Sequence, residues 1–270
     1  MRRTPGKLNL YLTVGERRDS DGRHLIRTVF YPFWRVVDTV EVVRSTPGSG
    51  LSIRTTGREI PGAESDNLAL RAVGGYCGRL GIQPDFEIRL HKAIPVAAGM
   101  GGGSSDAAAA LLEVNGLEKR ASEEELQEIA ASLGADVPFF LNPVPSLATG
   151  VGDILEPLEV FPELNLLVIY PGVHSPVAWA YQNWRRPDGL RPPEWPPPKD
   201  CDWGGFLWND LGFAVAERHP EVRNALDDIK SCGARSCIVS GSGSAVFGVF
   251  DGAEELEAAR RRLSIAWEVF

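Results

Sequence analysis

The chain has 270 residues, 43% of them hydrophobic, and a formal charge of −8. That length holds one large or two ordinary domains with a proper apolar core. The acidic balance excludes a basic nucleic-acid groove, and no apolar run is long enough to cross a bilayer. No N-terminal stretch is first charged and then apolar, as a signal peptide would be, so a soluble cytoplasmic protein is expected. Four cysteines (Cys77, Cys201, Cys232 and Cys237) lack paired spacing, which predicts neither a zinc site nor a disulfide framework.

Residues 7–14 alternate strictly. Leu8, Leu10, Leu12 and Val14 share one face of a predicted strand, and Lys7, Asn9, Tyr11 and Thr13 share a polar one. A turn is expected at 18–23, then two strands near 25–34 and 37–44. Ser65 or Asp66 can cap a helix over 67–80 that ends at Gly81. Residues 86–90 read as a strand, and it leads directly into AIPVAAGMGGGSSDAAAA.

In that segment Gly99, Gly101, Gly102 and Gly103 free the backbone for positive φ and close approach to a ligand. The alanine-rich run behind them predicts a helix, with Ser104 or Ser105 as its cap. Unpaired N–H groups and the positive end of the helix dipole then face one space, an arrangement that suits a phosphate. The spacing matches neither a Walker loop, since Ser104 follows Gly103, nor the dinucleotide fingerprint, since Ser104 also stands three after Gly101. On an acidic protein such a site must make its positive potential locally.

Ser122 and Glu125 form a capping box, Leu126, Ile129, Ala130 and Leu133 make an apolar stripe, and Gly134 stands where the helix should stop. Asp136 follows just beyond that end. The second half carries an apolar strand at 164–170, a Pro-rich excursion at 186–199, and helices around 206–218 and 221–231. Two strands flank the glycine turn at 240–244, with a charged helix over 253–263 and a short strand at 265–270 behind them. Strands and helices mixed in both halves indicate an α+β protein of two domains.

PGKLNLYL, DGRH, DNLALRA, KAIPVAAGMGGGSSDAAAAL, GADVPFFL, ATGVGDILEPL, PGV before PVAW, and SGSGSAVFGVF occur in the order seen in the GHMP kinases. Within that superfamily the chain resembles the kinases of 4-diphosphocytidyl-2-C-methyl-D-erythritol, over residues 5 to 250. The resemblance implies a GHMP kinase fold with an N-terminal ATP-binding domain over 1–158 and a C-terminal ferredoxin-like α/β domain over 159–270. It implies ATP and Mg²⁺ as cofactors and a small cytidine diphosphate-linked substrate. It implies neither nucleic acid nor membrane as partner, in a monomer or weak homodimer.

The resemblance also distributes roles. The segment Pro95, Val96, Ala97, Ala98, Gly99, Met100, Gly101, Gly102, Gly103, Ser104 and Ser105 matches the loop that wraps the ATP phosphates, and Asn67 matches a position near the adenine. Lys7 and Asp136 match the catalytic pair. Asn9, Arg23, His24 and Trp179 match the substrate contacts, with His24 at the cytosine edge and Trp179 stacked on the ring. Arg23 departs from the family's usual tyrosine; a guanidinium plane can also stack on a base. The ligands of Mg²⁺ are not identified, Ser104 or Ser105 being candidates. Another GHMP kinase, acting on homoserine, mevalonate or a sugar, and a non-catalytic nucleotide-binding protein are the rival readings.

Overall fold

The computed structural model describes residues 1–197 and 201–270, so the end of the Pro-rich excursion lies outside the described residues. In chain order the elements are β1 (Arg2–Arg17), β2 (His24–Arg44), β3 (Ser52–Gly57), α1 (Leu68–Leu80), β4 (Phe86–Lys92), α2 (Gly102–Glu118) and α3 (Glu123–Leu133). There follow β5 (Ser146–Thr149), β6 (Ile154–Pro157), β7 (Asn165–Tyr170), α4 (Val177–Asn183), β8 (Trp208–Asn209), α5 (Asp210–Arg218) and α6 (Pro220–Ser231). The chain closes with β9 (Ser236–Val239), β10 (Val246–Phe250), α7 (Ala253–Leu263) and β11 (Glu268–Val269).

Two compact units form. The first comprises Met1–Lys7, Pro32–Val96 and Gly101–Val144. In it β3 runs parallel to β4, and β4 pairs antiparallel with β2 from Thr39 opposite His91 to Arg44 opposite Phe86. Helix α2 is buried nearly all round: Ala107 through Leu111 are at most 1% exposed. Its alanines let α1 lie close along it. Helix α3 starts at the expected capping box, with Ser122 Oγ accepting from Glu125 N and Glu125 from Ser122 N.

The second unit comprises Leu8–Tyr31, Ala97–Met100 and Pro145–Phe270. Its β7, β9, β10 and β11 form an antiparallel sheet in the order β11-β7-β10-β9. With helices between β7 and β9 and between β10 and β11, that is the βαββαβ arrangement of the expected ferredoxin-like domain. Leu167, Ile169, Val246 and Phe250 of the sheet pack with Val222, Ala225, Ile229, Leu256 and Leu263 of α6 and α7.

Three local expectations are corrected, and the surroundings of the polar face of β1 are defined. The two strands expected near 25–34 and 37–44 are the single strand β2. The polar face of β1 is not solvated: Lys7, Asn9 and Tyr11 are 5%, 2% and 2% exposed. Neighbours meet their polar atoms instead, Asn9 Nδ2 donating to Thr28 Oγ1 at 2.8 Å and Tyr11 Oη to the Pro193 carbonyl at 3.2 Å. The cap of α1 is Asn67 rather than Ser65 or Asp66, its Oδ1 accepting from Ala69 N at 2.9 Å; such a cap contributes about 1 kcal/mol. Finally, α2 begins at Gly102 behind a left-handed Gly101, so Ser104 and Ser105 lie inside the helix and cap nothing.

Candidate active site

The glycine segment obtains its shape from alternate left-handed residues. Ala97, Gly99 and Gly101 have φ of 54°, 75° and 69°. Left-handed residues interspersed in a turn curl successive N–H groups inward, a backbone geometry that suits an anion, and Gly101 leads into the first residue of α2. Only glycine fits at 99, where an added Cβ would overlap the Ser240 carbonyl oxygen.

Within the second unit the 240–245 turn holds the middle of this segment. Ala245 N donates to Ala98 O at 3.0 Å, and Ser240 Oγ donates to Gly99 O at 3.1 Å. The N–H of Asn9 also reaches Ser240 Oγ, at 3.4 Å. The second glycine turn of the sequence is thus a brace for the first.

Within the first unit Lys7 and Asp136 meet, Nζ lying 3.8 Å from Oδ2. The pair stands against the glycine segment, because a Cβ on Gly101 would lie 3.1 Å from Lys7 Cγ and 3.0 Å from the Phe140 ring. The Lys7 side chain is 6% exposed and that of Asp136 35%. Burial pushes the Lys7 ammonium below the usual lysine range, and Asp136 partly offsets this. A shielded cation next to an accessible carboxylate can orient that carboxylate and steady developing negative charge, while the acid accepts a proton.

Ser105 is committed elsewhere: its hydroxyl donates to Pro5 O at 2.6 Å and lies 2.5 Å from Thr4 Oγ1. Ser104 is half-buried. Asn67 lines a cavity of about 360 Å³ with Thr55, Gly57, Arg58, Ile60 and Glu64. This cavity adjoins the start of the glycine segment, since Arg58 donates to the carbonyls of Lys92 and Ala93 at 2.8 and 2.7 Å.

His24 opens β2 in the second unit. Its Nδ1 donates to Gly15 O at 2.9 Å, and Arg17 Nε donates to its Nε2 at 3.3 Å. The rings at His24 are Tyr181, near-parallel at 6.0 Å, and Trp184, edge-on at 6.1 Å. Trp179 instead packs on the core of the ferredoxin-like sheet, with the Arg218 guanidinium 4.2 Å from its ring centre. Arg23 is exposed in the preceding turn, its N–H bonded to Asp21 Oδ1 at 3.1 Å.

Sequence reasoning does not single out Tyr181 and Trp184, whose signal is an aromatic spacing two and five residues after Trp179. It also passes over a buried trio of Asp38, Lys92 and Asp106, although an acid amid the apolar residues of β2 was a readable sign. Burial works against the Lys92 charge, yet Asp106 and Asp38 together hold its pKa above the usual range. Burial raises that of Asp106.

Among the described residues no helix is long and apolar enough to cross a membrane. Residues 67–142 match the family model "GHMP kinases N terminal domain" and residues 205–269 match "GHMP kinases C terminal". A protein of Syntrophotalea carbinolica named 4-diphosphocytidyl-2-C-methyl-D-erythritol kinase is 36% identical, covering 98% of this chain and 95% of its own. One of the same name from Citrifermentans bemidjiense is 39% identical, covering 92% and 88%. A crystal structure of 4-(cytidine 5′-diphospho)-2C-methyl-D-erythritol kinase superposes with a TM-score of 0.83 at 34% identity, covering 100% of this chain and 97% of that one. A homoserine kinase from Cytophaga hutchinsonii shares the fold at 17% identity and a TM-score of 0.66. With two GHMP kinase domains, a left-handed glycine segment and relatives matched end to end, this chain belongs to the 4-diphosphocytidyl-2-C-methyl-D-erythritol kinase family of the GHMP kinases.

Proposed function

We propose that the chain transfers the γ-phosphoryl group of MgATP to the 2-hydroxyl of 4-diphosphocytidyl-2-C-methyl-D-erythritol, a step of non-mevalonate isoprenoid synthesis. The observation that carries this reading is the Lys7–Asp136 pair set against Gly101 in a segment built for an anion. Asp136 accepts the proton of the attacking hydroxyl, and Lys7 orients the carboxylate and offsets charge on the moving phosphoryl group. Residues 95–105 take the phosphates through backbone N–H groups and the α2 N-terminus. The cavity beside Asn67 takes the nucleoside.

Mg²⁺ enters as part of the substrate MgATP and neutralises phosphate charge. Such an ion is held mostly by phosphates and water. The hydroxyl of Ser104 is the hard oxygen donor that residues 95–105 offer it, since that of Ser105 bonds Pro5 and Thr4.

His24 reads the cytosine edge and Asn9 supports the acceptor. The rings of Tyr181 and Trp184, gathered at His24, supply stacking surface, with Trp179 and Arg23 as the family-matched alternatives. The test is phosphoryl transfer from ATP to this acceptor in parallel with homoserine and mevalonate. Turnover confined to the cytidine diphosphate-linked alcohol is expected. Preference for an acceptor without cytidine would overturn the substrate, and binding of ATP with no turnover of any acceptor would overturn the activity.

A further inference from the structure

Three charged side chains with no part in the mechanism above are buried together in the first unit. Asp38 of β2, Lys92 at the end of β4 and Asp106 of α2 are 0%, 3% and 2% exposed. Lys92 Nζ donates to Asp38 Oδ2 and, at 2.8 Å, to Asp106 Oδ2. The other oxygen of Asp38 accepts the N–H groups of Ala93 and Ile94 at 2.6 and 2.8 Å. The other oxygen of Asp106 is buried with no hydrogen-bond partner.

Stability does not account for such a group. Two carboxylates and one ammonium lose far more hydration than neutral side chains would, and apolar residues of similar volume commonly hold a core as well or better. An orphaned buried carboxylate oxygen adds a further cost. What the trio supplies is directed bonds at two specified points of the backbone. One is residues 93–94, where β4 turns into the glycine segment. The other is Asp106 of α2, directly after residue 105 and about one turn in from the start of the helix at Gly102. Lys92 also lies directly against the first residue of α2: a Cβ on Gly102 would come within 2.7 Å of its Nζ.

We propose that Lys92, held between Asp38 and Asp106, is the positioning residue that sets the spacing of the two ends of the nucleotide-binding segment. The proposal rests on the reading that residues 95–105 bind the phosphates of ATP. The trio touches no substrate atom. It acts by fixing where the chain enters and leaves the curl, and hence where the N–H groups point. Its loss is felt in nucleotide affinity before it is felt in the chemical step.

The experiment compares D106L, which cuts the tie to α2 and leaves a neutral Lys92–Asp38 pair, with D106N, which keeps the volume and an acceptor for Lys92. Steady-state kinetics, calorimetric binding of a non-hydrolysable ATP analogue and thermal melting are measured for both and for the native protein. For D106L the KM for ATP and the Kd of the analogue should rise about tenfold or more, with kcat and the acceptor KM within about threefold, and D106N should sit within about threefold of native throughout. A folded D106L that binds the analogue as the native protein does would overturn the proposal. So would losses in kcat and both KM values that merely track the melting temperature in the two variants. If D106L does not fold, D106A takes its place with the same two readings; if neither folds while D106N does, the trio is a structural charge cluster and the proposal fails. A native protein that turns over no acceptor would remove the activity reading alone, because the analogue-binding comparison needs no turnover.

Discussion

Lys7 Nζ lies 3.8 Å from Asp136 Oδ2, and the two side chains differ sharply in access, the ammonium 6% exposed and the carboxylate 35%. This suits the proposed roles: an acid that is to meet a substrate alcohol stays reachable, while the cation beside it is shielded from water and so acts more strongly. Replacing Asp136 by Asn keeps size and polarity and removes the base. Turnover of D136N should fall by roughly 10²–10⁴-fold, with analogue affinity by calorimetry nearly unchanged. Turnover close to native would place the base elsewhere.

The buried position of Lys7 makes its charge sensitive to alkali. Its folded pKa is lowered, so on raising pH the native state loses this proton before the unfolded chain does. In the window between that lowered value and 10.5 the unfolded chain binds more protons, and this group's contribution to stability increases with pH. The penalty of a buried ammonium is thus felt in full below the window. Activity moves the opposite way: kcat/KM should decline on an alkaline limb lying below pH 10.5. In a pH–rate profile, K7R should retain little activity but show no such limb, since a guanidinium stays charged. An identical limb in K7R would assign the titration to another group.

Left-handed geometry in the glycine segment predicts two substitutions of very different cost. Gly99 has φ of 75° and its missing Cβ position is filled by the Ser240 carbonyl. G99A should lose about 2 kcal/mol or more in denaturant unfolding, from the conformational penalty of a left-handed alanine plus the clash. Analogue binding should weaken with it. Ala97 already sits at φ of 54° with a Cβ in place. A97G relieves that strain while adding freedom to the unfolded chain, so its stability should stay within about 1 kcal/mol of native.

The rings at His24 predict a split between the two substrates. Y181A and W184A should raise the KM of the cytidine diphosphate-linked acceptor about tenfold while leaving that of ATP alone, as loss of a base–aromatic contact worth ~1–3 kcal/mol would. W179A should lower the melting temperature, because Trp179 packs on the ferredoxin-like core beneath Arg218. An acceptor KM moved by W179A and untouched by the other two would return the stacking role to Trp179.

Much of this molecule could be read along the chain. The capping box of α3, the strand–glycines–helix order and the αL Gly81 that ends α1 are local features, set by residues within a few positions of one another. The motifs around Lys7 and Asp136 were legible too, because each is a short contiguous string. What the strings could not disclose was environment. Lys7 and Asn9 stand on the polar face of an alternating strand, and alternation distinguishes two faces without telling whether the second meets water or protein. Ser105, a plausible cap by its place in the string, instead bonds Pro5 and Thr4.

Composition and motif order therefore determined the family, the strand–glycines–helix order and which acid and cation to propose as the catalytic pair, since those depend on residue type and near neighbours. Only the tertiary structure decided that Lys7 is buried, that Ser240 braces Gly99, that Tyr181 and Trp184 gather at His24, and that Asp38 and Asp106 share Lys92. These relations join residues far apart in the chain, and their energies depend on burial and distance, quantities that come into being only when the backbone closes.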